Sequence, residues 1–333
     1  MDIGIDLGTT NVIMTMGNKG IVLNEPSAIA YNRKKKEVVA VGEEADKMIG
    51  KVPPHIVTIR PLANGVISDE DMTQCMIREF IYKVIGHRPL RPQIVICVPS
   101  FITKVEYKAV IEAAHSAGAR KVYLIEEPIA ALMGAGVDIE RANGNLIVDI
   151  GGGTTDVAVI SLNGIVIARS IKVGGNKIDD SIVNYISSKY KVLIGEKMAE
   201  TAKKKLTTVI EPKEEVNMLV KGRSLTSGMP VQFEISQIDI FNAILDDVSA
   251  IVELVKRVVE ETPPELVSDI YENGILLTGG GAHLGGLDKL IAGELGVDCF
   301  AAKNPTFCVA KGTAKAFKHL NTLLDGFEYI AQH

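Results

Sequence analysis

The sequence predicts an α/β protein whose mixed sheets are organised in two similar halves. Short apolar runs typical of strands alternate with segments of helical periodicity along the 333 residues. A strand–Asp–Gly–hydroxyl–strand pattern occurs twice, once over residues 3–12 (IGIDLGTTNV) and once over residues 145–160 (NLIVDIGGGTTDVAVI). Its strand–glycine part returns over residues 275–282 (ILLTGGGA). Repetition within one chain indicates a duplicated fold, in which each half offers one turn to the same ligand.

Composition and charge narrow the functional classes. The net charge of −5 and the pI near 5.8 argue against nucleic acid as the main partner, because such domains usually carry a basic face. The one basic run, residues 33–36, fits a solvated hairpin tip. No apolar run reaches the roughly 18 residues that a membrane span needs. A core strand already begins at residue 3, which leaves no room for a signal peptide.

The cysteines carry no metal-ligand or redox spacing. No C-x-x-C pair is present, and no histidine lies at ligand spacing from any of them, so we expect reduced thiols, mostly in the core, of a cytoplasmic protein. The four cysteines are Cys75, Cys97, Cys299 and Cys308.

The first half of the chain predicts the following elements. Residues 1–31 form a hairpin that continues into a third strand, and residues 32–68 form a small, proline-punctuated inserted subdomain. A helix spans Asp69 to Ile85, since apolar residues recur in it every four positions. The remaining elements are a strand at 94–98, a helix at 103–117, a strand at 122–125 and a small-residue helix after Glu126-Glu127-Pro128.

The second half predicts a parallel series. Two more strands follow the 151–153 turn, and Asp179 opens a helix that runs to Tyr190. A capping-box pattern at Ser236 begins a long helix that ends before Pro263. The remaining elements are a helix at 195–206, short strands and turns at 207–238, a helix at 284–295, a strand at 297–301 and helices from residue 309.

These elements predict two large domains, each with a small inserted subdomain. The first large domain comprises residues 1–31, 69–145 and 309–333, and its insert comprises residues 32–68. The second comprises residues 146–178 and 239–308, and its insert comprises residues 179–238. Ligands of such folds collect in the crevice at the strand ends.

The 149–155 turn carries the strongest chemical signal. Its three consecutive glycines let a ligand approach the backbone N–H groups without a Cβ in the way. Exposed N–H groups beside threonine hydroxyls can bind phosphate, and Asp149 at the end of the incoming strand can hold a hydrated Mg²⁺. The alternative is a glycine-rich hairpin that binds nothing.

The ordered set of motifs resembles the actin/Hsp70/sugar-kinase nucleotide-binding fold, and most closely the bacterial actin MreB family, over nearly the whole chain. That fold is actin-like (ribonuclease H-like), with nucleotide in the cleft between the two large domains. The segments that carry the resemblance, besides the two Asp–Gly–Thr turns, are Asn24–Ser27, Ile59–Leu62, Gly65–Ile67, Ile160–Ser161, Leu193–Glu196, Thr262–Leu266 and Gly312–Thr313.

The resemblance implies a role for each site residue. Asp6 and Asp149 become the carboxylates on the Mg²⁺ side, acting through water, and Glu127 positions or activates the attacking water. The last role agrees with the need of hydrolysis for an acceptor beyond the γ-phosphate. The phosphate-binding residues become Thr9, Thr10, Asn11, Gly151, Gly152, Gly153 and Thr154. The adenosine-binding residues become Gly279, Gly280, Gly281 and Ala282, together with Glu200 and Lys203 of a helix.

Three of these assignments keep an alternative. Glu127 also fits an acid placed at a helix N-terminus, where the helix dipole favours it. Lys203 also fits a solvated helix lysine. ATP and GTP present the same phosphates, so the choice between them stays open.

The implied function is an ATPase that assembles head to tail into filaments and acts in cell shape. The implied partners are further copies of the chain, with pairing of protofilaments left open, and the cell-wall synthesis machinery. The alternatives are a monomeric ATPase or small-molecule kinase of the same superfamily. A chaperone ATPase is disfavoured, because the sequence contains no segment for a peptide-binding domain.

Association with the inner face of the membrane is left open by the sequence. In the loop over residues 86–93, only Leu90 is apolar, and one leucine contributes about 2 kcal/mol of burial, too little for stable anchoring. The apolar residues between 323 and 330 fit either a membrane contact or a helix that packs on the first domain.

Overall fold

The computed structural model describes residues 2–63, 65–86, 91–100, 103–212 and 216–320, together with the backbone of residues 327–330. The chain divides into two compact units. Unit 1 comprises residues 1–144, 158–168 and 306–333, and unit 2 comprises residues 145–157 and 169–305. The predicted α/β class is therefore seen with two units, and the finer division into four parts remains a prediction.

Unit 1 contains a six-stranded mixed sheet with the strand order β19-β10-β9-β1-β2-β3. The central strands β1, β9 and β10 run parallel, whereas the β1–β2–β3 meander and the edge pair β10–β19 are antiparallel. The strands of this sheet are β1 (Asp2–Leu7), β2 (Asn11–Met16), β3 (Ile21–Pro26), β9 (Gln93–Val98), β10 (Lys121–Glu126) and β19 (Phe327–Ile330).

The smaller elements of unit 1 include a three-stranded antiparallel sheet in the order β5-β4-β6 and a two-stranded ribbon β7-β8. Their bounds are β4 (Ile29–Asn32), β5 (Glu37–Val41), β6 (Ile56–Ile59), β7 (Leu62–Ala63) and β8 (Val66–Ile67). The helices are α1 (Glu43–Met48), α2 (Glu70–Ile85), α3 (Lys104–Ser116), α4 (Glu127–Ala135) and α10 (Cys308–Ala316).

Helices α4 and α10 touch backbone to backbone. A Cβ on Gly134 would lie 1.7 Å from the carbonyl oxygen of Cys308, and one on Gly312 would lie 1.8 Å from that of Ala130. The Lys315 ammonium donates to the Met133 carbonyl at 2.7 Å and so neutralises carbonyls at the C-terminal end of α4. Two glycines therefore fix the position of the helix that begins at Glu127.

Unit 2 contains most of a second mixed sheet with the strand order β13-β12-β11-β17-β18, in which β11, β17 and β18 run parallel. Most of the β12–β13 hairpin, residues 158–168, belongs to unit 1. The strands are β11 (Asn145–Ile150), β12 (Thr155–Ser161), β13 (Gly164–Ile171), β17 (Ile275–Thr278) and β18 (Cys299–Ala301).

A second small antiparallel sheet in unit 2 has the order β14-β15-β16. Its strands are β14 (Val192–Leu193), β15 (Asn217–Ser224) and β16 (Pro230–Ser236). The helices of unit 2 are α5 (Gly175–Tyr190), α6 (Glu196–Leu206), α7 (Gln237–Glu261), α8 (Pro264–Asn273) and α9 (Leu287–Leu295).

Side-chain caps set several helix starts where the sequence places them. Asp69 accepts a hydrogen bond from the Met72 N–H at 3.0 Å and caps α2. Ser236 and Asp239 form a complete capping box at the start of α7, and Thr103 caps α3 in the same way.

The clearest differences from the sequence prediction concern three elements. Helix α5 begins at Gly175, not at Asp179, because its first N–H groups bond to carbonyls of the 151–153 turn. Helix α8 follows the prolines that were expected only to end α7. Residues 327–330, for which a packed helix was one expectation, form strand β19 against β10.

The structure also bears on the membrane and cysteine predictions. In the described part of the chain, no helix combines the length and apolarity of a membrane span. Leu90 of the loop with a single apolar residue lies outside the described residues, as do residues 323 and 324. All four cysteines are free thiols, with Cys97 and Cys308 buried.

Candidate functional site

The Asp6 turn of unit 1 is held by side chains from other segments. The Ser27 hydroxyl donates to the Gly8 carbonyl at 2.5 Å, and the Ser27 N–H donates to the Thr10 carbonyl at 2.8 Å. A Cβ on Gly8 would lie 2.7 Å from the Asn11 carbonyl oxygen, so the turn closes tightly only with glycine there. Ser27 lies directly after β3, the last strand of the β1–β2–β3 meander, and its two hydrogen bonds hold the turn in place.

The predicted phosphate-binding side chains of this turn have different surroundings. Thr9 Oγ1 accepts a hydrogen bond from the Gly65 N–H at 3.2 Å, and Asn11 Nδ2 donates to Asn24 Oδ1 at 2.9 Å. Thr10 is exposed. Protein contacts therefore orient the side chains of Thr9 and Asn11.

Strand register places Asp6 and Glu127 at one edge of the unit 1 sheet. Asp6 pairs with Cys97 on β9, and Cys97 pairs with Ile125 on β10, so the three residues form one row across parallel strands. Glu127 begins α4 immediately after β10. Because neighbouring strands lie about 4.8 Å apart, β1 and β10 are separated by roughly 10 Å. Asp6, near the end of β1, and Glu127, at the start of α4, therefore lie at the same edge of the unit 1 sheet.

The Asp149 turn of unit 2 is held by backbone groups instead. The Gly151 N–H donates to the Thr154 carbonyl at 2.9 Å and closes the turn. The first N–H groups of α5 then bond to it, from Gly175 to the Gly151 carbonyl at 3.0 Å and from Asn176 to the Gly152 carbonyl at 2.8 Å. The N-terminus of α5 is therefore occupied by this turn.

Gly174 permits that contact. A Cβ on Gly174 would lie 2.8 Å from the Gly151 oxygen and 2.9 Å from the carbonyl carbon and oxygen of Gly152. Any larger residue at position 174 would push the turn away from α5.

Asp149 is buried at the carboxyl end of β11, with 5% of its surface exposed. Thr278 Oγ1 donates to Asp149 Oδ1 at 2.8 Å. Burial raises the pKa of Asp149 to about 7, the Thr278 hydrogen bond acts in the opposite direction, and the charge of Asp156 adds to the rise. A nearby cation would favour the ionised form and so lower this pKa.

Asp156 has the structural role that its place in β12 suggests. Its side chain is buried and makes hydrogen bonds with Ser170 and Thr154, and burial raises its pKa. Thr154 is thus a partner of Asp156, while its neighbour Thr155 donates to the Val173 carbonyl at 2.7 Å.

The predicted adenosine turn follows β17. Gly279 has φ of 77°, and a Cβ there would lie 2.3 Å from the Ile150 carbonyl oxygen and 2.8 Å from Asp149 Oδ1. Gly281 packs on the Ile150 side chain, whereas Gly280 faces open space. A short 3₁₀ helix spans Gly280–His283 and buries Ala282. The turn packs against the strand that carries Asp149, so its glycines serve close packing as well as any ligand.

Glu200 and Lys203 on α6 bind protein groups in this structure. Lys203 Nζ donates to Asp179 Oδ2 at 2.8 Å and to the Gly175 carbonyl at 2.7 Å. Glu200 accepts from Lys204 at 2.6 Å. The largely buried side chain of Lys203 thus supports the start of α5, the helix whose first N–H groups bond to the 151–153 turn.

The donor set fits a hydrated Mg²⁺. Among the described residues, no group of three His, Cys, Asp or Glu side chains lies close enough to hold a metal by itself. Mg²⁺ commonly takes only one or two carboxylates and completes its shell with water and phosphate oxygens. The Asp149 carboxylate, beside a turn of backbone N–H groups, suits that mode of binding.

Sequence reasoning missed the partners of three residues that shape the site. Ser27, Gly174 and the Thr278 hydroxyl act on partners 19, 22–23 and 129 residues away, respectively. In the sequence, Ser27 is the last residue of the Asn24–Ser27 segment, and Gly174 is the first of two consecutive glycines. No local pattern indicates the partners of either residue.

Comparison with known proteins adds independent information. The profile of the MreB/Mbl protein family matches residues 1–325. The cell shape-determining protein Mbl of Bacillus subtilis is 47% identical over 323 residues, covering 97% of each chain. The cell shape-determining protein MreB of Escherichia coli is 43% identical over 326 residues, covering 96% of this chain and 94% of that protein.

A solved structure supports the fold. The crystal structure of MreB5 of Spiroplasma citri bound to ADP matches with a TM-score of 0.90 at 39% identity, covering 96% of each chain. The same protein bound to AMPPNP gives a TM-score of 0.89. The predicted actin-like fold is confirmed by these matches.

Proposed function

We propose, from the premise that this chain belongs to the MreB/Mbl protein family, that it is an actin-like ATPase whose nucleotide state controls its assembly into filaments. The family relatives are cell shape-determining proteins, and a role in cell shape and cell-wall organisation is proposed for this chain on that basis.

The observation that carries the proposal is the pair of Asp–Gly–Thr turns. Each turn lies at the carboxyl end of a strand in the mixed sheet of its own unit, with an aspartate at the strand end. A triphosphate with Mg²⁺ needs backbone N–H groups, hydroxyl groups and carboxylates, and each turn offers this set. MreB5 of Spiroplasma citri, 39% identical, has been crystallised with ADP and with AMPPNP.

The proposed residue roles are those that the family resemblance implies. Thr9, Thr10 and Asn11 of one turn and Gly151–Thr154 of the other bind the phosphates. Asp6 and Asp149 hold water molecules of Mg²⁺, and the metal when bound neutralises charge on the phosphate oxygens. Glu127 accepts a hydrogen bond or proton from the attacking water.

The adenosine side of the proposal rests on the 279–282 turn and helix α6. Gly280, which faces open space, lets the base or sugar approach the backbone. Lys203 acts by supporting α5 rather than by a free ammonium, because that group is already bound to Asp179 and Gly175. Glu200 remains the proposed sugar contact, and ATP is proposed ahead of GTP.

Assembly is proposed to be head to tail. A contact between two different surfaces of identical chains does not close on itself and produces a filament. The proposal also includes three expectations from the family. They are pairing of filaments, weak association with the inner face of the membrane and contact with the cell-wall synthesis machinery.

Light scattering and pelleting test this function against a monomeric ATPase or kinase. Purified protein is titrated in Mg²⁺ with ATP, with ADP and without nucleotide. We expect scattering to appear only above a threshold concentration, and the threshold to be lower with ATP than with ADP. The Asp149→Ala variant, which loses a proposed metal-side carboxylate, is the matched control. Scattering that is proportional to concentration, with no threshold, would instead favour the monomeric alternatives.

A further inference from the structure

The pair formed by Thr278 and Asp149 joins the parallel strands β11 and β17 of the five-stranded sheet. Asp149 ends the paired part of β11, and Thr278 lies opposite it at the end of β17. Thr278 is completely buried, and its hydroxyl donates to Asp149 Oδ1 at 2.8 Å. The two side chains are therefore neighbours on one face of the sheet.

Gly279 brings the following backbone up against the same carboxylate. Its φ of 77° belongs to the left-handed region, and a Cβ at this position would lie 2.8 Å from Asp149 Oδ1. Its N–H donates to the Pro305 carbonyl at 3.1 Å, which holds the turn in place. One oxygen of Asp149 is thus enclosed by Thr278 and Gly279.

We propose that Thr278 is a positioning residue for metal-nucleotide binding, because its hydroxyl fixes Asp149 with Oδ1 turned to the protein and Oδ2 turned to the hydrated metal. This inference rests on the proposed function and assigns to the 278–282 segment a task on the metal side, in addition to the adenosine contact expected of its glycines.

The chemistry of Mg²⁺ makes such positioning consequential. Mg²⁺ demands near-ideal octahedral geometry and gives up its water reluctantly, so a carboxylate that acts through water must be held at a fixed angle. Partners that orient a ligating group typically change metal affinity or activity about 10- to 100-fold when they are removed. A valine at position 278 keeps the shape of threonine and removes only the donor.

The test compares Thr278→Val with Thr278→Ser, which keeps a hydroxyl. Binding of ATP is measured over a range of Mg²⁺ concentrations and again with EDTA, together with the melting temperature. We expect Thr278→Val to raise the half-saturating Mg²⁺ concentration about tenfold or more, with binding in EDTA unchanged. Thr278→Ser should stay within about threefold of the wild type, since it retains the donor.

Thr262→Val is the matched control for the loss of a buried hydroxyl. Thr262 is buried in unit 2, and its hydroxyl donates to the Val258 carbonyl at 2.6 Å. This variant should lower the melting temperature without a change in the Mg²⁺ requirement. If Thr278→Val behaves in the same way, the Thr278 hydroxyl serves stability alone and the proposal is overturned.

Two further outcomes are decisive. If Thr278→Val and Thr278→Ala both fail to fold while Thr278→Ser folds, the hydroxyl acts in folding and the positioning role is rejected. Asp149→Ala separates this inference from the proposed function. If Asp149→Ala binds ATP poorly and Thr278→Val has a normal Mg²⁺ dependence, only the proposed role of Thr278 is rejected. If Asp149→Ala binds ATP with a normal Mg²⁺ dependence, the assignment of Asp149 to the metal side is itself rejected.

Discussion

The two Asp–Gly–Thr turns share a motif but are restrained in different ways. The unit 1 turn has one glycine and is tied by a side chain, the Ser27 hydroxyl, which donates to Gly8. The unit 2 turn has three glycines and is tied by backbone N–H groups of Gly175 and Asn176 at the start of α5. The support of the turn thus includes a side-chain hydrogen bond in unit 1, whereas in unit 2 it consists of main-chain hydrogen bonds.

The difference predicts how each turn can be damaged. A side-chain tie is removed by one conservative substitution and costs one hydrogen bond. A main-chain tie has no side chain to remove, so only a substitution that adds bulk, as at Gly174, disturbs it. We also expect the acids of the two units to differ in function. Asp6 and Glu127 lie at the edge of the unit 1 sheet, and Asp149 lies in unit 2.

The largest effect is expected from Glu127→Ala, at the edge of unit 1. Loss of the acceptor for the attacking water should slow phosphate release about 10²- to 10⁴-fold, while ATP binding and assembly persist. Steady-state phosphate release and pelleting measure the two properties. Glu126→Ala, one residue earlier at the end of β10, is the control and should retain turnover. Equal turnover in Glu127→Ala and wild type would remove the residue from catalysis.

The next effect concerns the acid of unit 2 and the pH dependence of folding. Burial raises the pKa of Asp149 to about 7, so the unfolded chain releases this proton at a lower pH than the folded protein does. Its contribution to stability is therefore present below pH of about 4 and is lost as the pH rises to about 7. Asp149→Asn removes this contribution.

Chemical denaturation of the nucleotide-free protein measures that change. Between about pH 4 and pH 7, the wild type should lose on the order of 3 kcal/mol of unfolding free energy relative to Asp149→Asn. Asp156, whose pKa is also raised by burial, is present in both proteins, and its charge contributes to the pKa shift of Asp149. Parallel pH profiles for the two proteins would contradict the expectation.

Gly174→Ala tests the main-chain support of the unit 2 turn. The new methyl group would overlap the Gly151 and Gly152 carbonyls, so the turn must move away from α5. We expect ATP affinity to fall about tenfold, together with a loss of about 1–3 kcal/mol of stability. Gly195→Ala is the control, because an added Cβ there meets nothing within 4 Å. Similar affinities for both variants would show that the α5 contact does not support binding.

Ser27→Ala should have the smallest effect and completes the comparison. It removes the hydroxyl that donates to Gly8, at a cost of about 1 kcal/mol, and the backbone bond from Ser27 to Thr10 remains. ATP affinity measured by titration should therefore change only a few-fold. A loss larger than that of Gly174→Ala would reverse the proposed ranking of side-chain and main-chain support.

Local signals explain what the sequence alone predicts well. The capping residues Asp69, Thr103 and Ser236 mark helix starts because their partners lie three residues away. The Asp6 and Asp149 turns are visible for the same reason, since aspartate, glycine and threonine adjoin one another. Alternating strands and helices then predict the α/β class.

Long-range partners explain what the sequence does not predict. Helix α5 begins at Gly175 because carbonyls more than twenty residues earlier accept its first N–H groups. The ammonium of Lys203 is bound to Asp179 on another helix, which no spacing rule indicates. Strand β19 forms because the edge of β10 offers it hydrogen bonds, and its apolar residues alone fit a helix equally well.

The glycine contact between α4 and α10 has a consequence for how the protein is made. Helix α10 comes after the whole of unit 2 in the chain, so a ribosome synthesises about half of the protein between the two helices. Until then α4 lacks the surface against which Gly134 fits. We therefore expect nascent chains to remain unable to hydrolyse nucleotide or to join a filament until translation has passed α10.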